Sequence, residues 1–157
     1  MTRKKAGLTF GSGIDAIRTT LAAILSLLLA RVLRLPEFYW APISSIVIIQ
    51  STIDPLTISW QRFAGTAVGA VLGAALAALF PPNAIAYGAG ILACGVVCAL
   101  LRLDGAYRFA AITLSIVVLI AHTRPAWIVG LHRFVEVSLG IAVGLAVAVL
   151  WRRPKTT

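Results

Sequence analysis

The sequence predicts an all-α, multi-pass transmembrane bundle of about six helices, arranged as two three-helix inverted repeats. Three observations lead there. Of 157 residues, 60% are hydrophobic and only 12% charged, with a mean hydropathy of +0.96; soluble domains are roughly 45–50% apolar and about 25% charged. The apolar residues fall into runs separated by Pro, Asn, Asp or Arg. Short Arg-Phe and glycine patterns recur in the two halves of the chain.

A helix needs about 20 apolar residues to cross the hydrocarbon core. The first run spans Ile14–Leu35, with Arg18 and Arg31 near its ends. It follows the charged start Arg3-Lys4-Lys5, but the many later runs mark it as an uncleaved first helix. The second run spans Tyr39–Ile53 and the third Phe63–Phe80, stopped by Pro81-Pro82-Asn83. The fourth, Ala84–Leu101, carries Gly88, Gly90 and Gly95, which lipid-embedded helices tolerate. The fifth spans Tyr107–Ala121 and the sixth Ile128–Trp151, ended by Arg152-Arg153-Pro154-Lys155. The whole chain, 1–157, then forms one transmembrane domain with short basic tails at 1–13 and 152–157.

Six spans put both termini on one side. Ten Lys and Arg residues fall on that side and four on the other. The larger set marks the cytoplasm, so both termini are expected inside. The net charge of +9 is read as this topogenic signal, not as a nucleic-acid surface.

Arg62-Phe63 precedes Gly69 and Gly73, and Arg133-Phe134 precedes Gly140 and Gly144 at the same spacing. The second and fifth runs both begin with an aromatic, Tyr39 and Tyr107, and end near a charged residue and proline, Asp54-Pro55 and Arg124-Pro125. Each unit holds three spans, so the second must be inverted relative to the first. Inverted repeats and paired short spans recur in transporters, with the site near the midplane. Glycine packing alone gives similar spacing, and local thinning of the bilayer accommodates a short span. Gly65, Gly69 and Gly73 form one flat helix face, as do Gly140 and Gly144, for a neighbour in the same chain or in a second copy.

Arg18, Arg62, Arg108 and Arg133 each stand close to the start of an expected span. A charge at a span's centre costs roughly 2.5–3.5 kcal/mol on insertion scales, and an arginine near an end escapes part of that by snorkelling. Snorkelling competes with anion binding for each of them. Asp15 with Arg18, and Glu136 with Arg133, stand three apart and can pair on a helix face. Tyr39, Trp40 and Gln50 offer rings and a neutral hydrogen-bonder at the ends of the short second span. Cys94 and Cys98 are read as small packing residues, and His122 and His132 as solvated loop groups. No phosphate loop, nucleophile–base set or metal-ligand cluster is present in the sequence, so neither an enzyme nor a cofactor or metal site is expected.

The run Tyr39-Trp40-Ala41-Pro42-Ile43-Ser44, then Gln50-Ser51-Thr52, then Arg62-Phe63-Ala64-Gly65-Thr66-Ala67-Val68-Gly69 resembles the FUSC-like proteins (fusaric acid resistance) of the aromatic acid exporter group. The resemblance covers essentially the whole chain. It implies efflux of aromatic carboxylates across the bacterial inner membrane. The membrane part of plant aluminium-activated malate transporters, which are anion channels, looks similar too. Many relatives carry two membrane halves and a large cytoplasmic domain. This chain has one half, so a homodimer is expected to supply the other. The expected partners are therefore membrane lipid, a small organic anion and a second copy. Arg62 and Arg133 are the expected carboxylate ligands, and Tyr39 and Trp40 the residues that hold the apolar body. The alternatives are a passive anion channel and a non-transporting membrane subunit.

Overall fold

The computed structural model describes residues 10–81, 83–103, 105–120 and 124–151, without the side chains of residues 10–12 and 120. The expected tails, apart from residues 10–13, lie outside the described residues, as does His122. The described chain is six helices: α1 Phe10–Val32, α2 Trp40–Gln50, α3 Pro55–Leu79, α4 Ala84–Leu100, α5 Tyr107–Ile120 and α6 Ala126–Leu150. By length and composition α1 (over Gly13–Val32), α3 and α6 suffice to cross a bilayer, while α2, α4 and α5 are shorter apolar helices. The 11 residues of α2 rise only about 16 Å at 1.5 Å per residue.

Four helix starts differ from the expected ones: α1 begins four residues earlier, at Phe10, α2 one residue later, at Trp40, and the other two bear on the arginines. α3 begins at Pro55, eight residues before Phe63, because Asp54 caps it: its carboxylate accepts from the Leu56 N–H at 3.1 Å and the Thr57 N–H at 3.4 Å. Proline at the first helical position loses no hydrogen bond there. α6 begins at Ala126, directly after Pro125. Arg62 and Arg133 are thus not near helix ends: each stands seven residues past its helix start, two turns in. Taking both out of the topology count still leaves nine basic residues against three.

α3 and α6 have the same length, and adding 71 to a residue number in α3 gives its counterpart in α6. Their neighbours repeat as well. On α5, Gly69 lies against the Ala110 carbonyl and Thr113, and Gly73 against Leu114 and Val117. On α2, Gly140 lies against the Ala41 carbonyl and Ser44, and Gly144 against Ser45 and Ile48. The offset between α2 and α5 is therefore 69. It pairs Trp40 with Phe109 and Tyr39 with Arg108, one residue away from the Tyr39–Tyr107 match read in the sequence.

Contacts advance together along α3 and α5, so these two run parallel, as do α2 and α6. α3 and α6 are antiparallel: Phe63 packs at a tilt against Phe134 with ring centroids 4.8 Å apart, while Gly130 meets Ala70. α1 and α2 are antiparallel through Ser26–Ser45 and Thr19–Gln50. Each unit of three helices is consequently inverted relative to the other. Counterparts that touch lie on the pseudo-twofold axis, so the axis passes between Phe63 and Phe134. The units are interlaced: the long helix of each packs on both the short and the long helix of the other, and α1 and α4 close the outside.

The glycine faces are therefore filled within the chain. α5 covers Gly65, Gly69 and Gly73, and α2 covers Gly140 and Gly144. A second copy cannot use them, because a backbone already occupies the surface. Cys94 and Cys98 pack in the core with Ala106, Ala110, Leu114 and Val118.

Candidate functional site

The buried polar side chains gather beside the axis. Arg62 is 7% exposed, Arg133 2% and Glu136 0%. Both arginines reach a small cavity between α3, α5, α6 and the start of α2, lined also by Trp40, Thr66, Phe109, Thr113 and Val137. Its volume is about 20 Å³, enough for one water molecule and too small for an organic anion.

The two arginines are held alike by their rings and differently by their hydrogen-bond partners. Arg62 lies over Phe109 at 5.1 Å, and Arg133 over the counterpart ring, Trp40, at 3.7 Å. Arg62 Nη2 donates to Ser44 Oγ at 3.1 Å. Arg133 Nη2 pairs with Glu37 Oε2 at 2.7 Å. Glu136 occupies the position that corresponds to Gly65, and its Oε1 accepts from the Glu37 backbone N–H at 2.8 Å. The partner of Arg133 is thus Glu37, in the turn before α2, a residue the sequence reading did not single out. Several atoms here find no hydrogen-bond partner among the described residues: Arg62 Nε, Arg133 Nε and Nη1, Trp40 Nε1 and Glu136 Oε2. Unsatisfied donors in a low-dielectric site cost free energy that an arriving acceptor recovers.

A second, wider hollow of about 350 Å³ opens at the surface between the end of α2 and the start of α5. Gln50, Ser51, Thr52, Arg108 and Phe109 line it. Arg108 is exposed, donates to Gln61 Oε1 at 3.2 Å and lies 4.7 Å from the Phe109 ring. Gln50 Nε2 donates to Thr19 Oγ1 at 2.8 Å.

Of the expected ligands, then, Arg62, Arg133 and Trp40 share one cavity. Tyr39 is half-exposed beside Trp40, its hydroxyl donating to Glu37 Oε2 at 3.4 Å. Arg108 and Gln50 line the outer hollow. Arg18 stands apart, donating to the Ala148 carbonyl near the end of α6 at 3.3 Å. Phe109, Thr66 and Thr113 were missed. The offset of 69 picks out Phe109 as the partner of Trp40, a signal hidden by matching Tyr39 to Tyr107.

The fusaric acid resistance protein-like family matches residues 22–147, from α1 almost to the end of α6 and across the whole arginine cavity. The chain belongs to that family. No curated protein and no solved structure matches it. Membership, with the apolar helices, gives the protein a membrane location and a role in transport or resistance.

Proposed function

We propose that the protein exports aromatic or other organic anions, chiefly carboxylates, across the bacterial inner membrane, with both termini cytoplasmic and as a homodimer. The observation that carries this reading is the pair of buried arginines, Arg62 and Arg133, facing one cavity with guanidinium nitrogens that have no partner. Lipid-facing packing gives no reason to bury them. A guanidinium stays charged and offers a planar fork that matches a carboxylate in two hydrogen bonds.

Glu37 supplies the exchange partner. Its side chain is 25% exposed while the Arg133 it holds is 2% exposed, so Glu37 can give way to an incoming carboxylate without being stranded in the interior. Arg62 meets the same anion from the other helix. The narrow cavity supports a cycle in which the site must open before an anion enters, rather than a permanently open channel. The helix crossing at Phe63 and Phe134 allows that opening as a movement of one inverted unit against the other. With the glycine faces filled within the chain, a second copy would meet it at another surface.

Arg62→Lys tests the binding role. Lysine keeps the charge and can still snorkel, but lacks the fork. Reconstituted in liposomes at equal density, the variant should lose roughly 90% or more of aromatic carboxylate flux, as expected when a charge-assisted bidentate pair worth more than about 1.4 kcal/mol is lost. Equal flux would remove Arg62 from the site.

A further inference from the structure

Phe109 lines two separate spaces. It forms part of the wall of the open hollow with Arg108 and Gln50, and part of the wall of the buried cavity with Arg62 and Thr113. Its side chain is 7% exposed although one of those spaces opens to the surface. The ring is therefore the partition between them. Its backbone is closely packed: Gly65 of α3 lies directly against the Ala106 carbonyl, Phe109 Cβ and the Ala110 nitrogen, so α5 cannot shift inward here. The side-chain torsions can turn without disturbing that contact.

Two cations hold that ring. Arg62 stands 5.1 Å from its centroid on the buried side of the partition and Arg108 stands 4.7 Å away on the exposed side. A guanidinium is attracted to an aromatic ring within about 6 Å, by roughly 0.5–1 kcal/mol at exposed sites and about 2 when desolvated. The same two groups are the cations an anion would meet in succession, first in the hollow and then in the cavity.

We propose that the Phe109 side chain is the gate between an outer anion station at Arg108 and an inner one at Arg62. This rests on the export reading and deepens it. An anion that pairs with Arg108 draws that guanidinium off the ring and weakens one of its two holds. Rotation of the ring about its side-chain torsions then joins the two spaces, and the anion moves from Arg108 to Arg62. The ring closes again on Arg62 behind it.

The gate can be read without any transport measurement, from access to a thiol placed in the inner cavity. Thr113 lines that cavity and is 5% exposed. Thr113→Cys protein is reconstituted in liposomes and treated with a methanethiosulfonate carrying a sulfonate, with the parental protein and its buried Cys94 and Cys98 as the baseline. Labelling of Cys at 113 should be slow, and about tenfold faster when Phe109→Ala is added, because thiol reactivity follows access. Phe109→Tyr keeps a ring and should label as slowly as the unaltered gate. Should the alanine variant fail to fold, Phe109→Leu carries the same comparison, with a smaller but measurable rise. Equal labelling with and without the ring overturns the proposal, as does a rise in the tyrosine variant equal to that in the alanine variant. Absence of organic-anion flux through the parental protein in the same liposomes would sink the export reading and leave the labelling result standing, so the two fail separately.

Discussion

The α3–α5 and α2–α6 pairs are built on one plan and diverge beside their arginines. In each, a long helix presents glycines to a short parallel helix, and an arginine two turns into the long helix lies over an aromatic on the short one. The divergence is Gly65 against Glu136. At Gly65 the α5 backbone comes close, and Arg62 is left with a ring and the Ser44 hydroxyl. At Glu136 a carboxylate reaches the Glu37 N–H, and the Glu37 side chain pairs with Arg133. One arginine is thereby neutralised inside the protein and the other is not. The interlaced repeat supplies the scaffold, and its broken symmetry leaves one buried arginine paired with a carboxylate and the other with a hydroxyl.

The largest effect expected from this comparison concerns what the halves share. Gly69→Leu and Gly140→Leu should each abolish the folded, monodisperse protein in detergent. A carbon at either glycine overlaps a carbonyl of the partner helix, Ala110 or Ala41, and backbone cannot yield as a flexible side chain does. Elution of both variants at the parental position would break the equivalence, and survival of one alone would show that its pair is the looser.

A smaller effect separates the halves. Glu37→Gln removes the carboxylate paired with buried Arg133 and leaves it only Glu136 as a compensating charge, where complete loss of compensation costs about 3–5 kcal/mol. Ser44→Ala removes one neutral partner from Arg62, a loss of about 1.5–3 kcal/mol for a hydrogen bond to a charged group. The thermal midpoint in detergent should fall further for Glu37→Gln. The reverse order would mean that Arg62, not Arg133, depends on a fixed partner.

Much of this was legible in the chain. Runs of apolar residues bounded by proline and charge place six helices, and the Arg-Phe-glycine repeat places both cavity arginines, because lipid imposes length and close packing imposes small residues. The start of α3 was not legible from hydropathy. Residues 55–62 include Thr57, Ser59, Gln61 and Arg62, whose polar faces point into the protein at Ser59 and Arg62 and not to water. Only the Asp54-Pro55 cap announces the helix there. Glu37 was hidden for another reason: it lies in a turn, and its partner is 96 residues away in sequence.

The smallest expected effect tests the one place where the ends of α3 and α6 differ. Asp54 caps α3 through two backbone N–H groups, and Pro55 fills the first helical position. By the offset of 71, their counterparts are Pro125 and Ala126, and α6 has no side-chain cap. Asp54→Ala should lower stability by about 1 kcal/mol, the usual worth of an acceptor at this position. The double change Pro125→Asp with Ala126→Pro writes the α3 start onto α6. It gains a cap of similar worth and keeps one proline, so the restriction of the unfolded chain is nearly unchanged. Ala126 already occupies the first helical position, where a missing N–H costs nothing. The expected result is a gain of up to about 1 kcal/mol, read as a raised thermal midpoint with carboxylate flux unaltered. A loss instead would mean that the Arg124–Pro125 turn is shaped by contacts that the symmetry of the repeat does not carry, and that the two units part company at their ends as well as at Gly65 and Glu136.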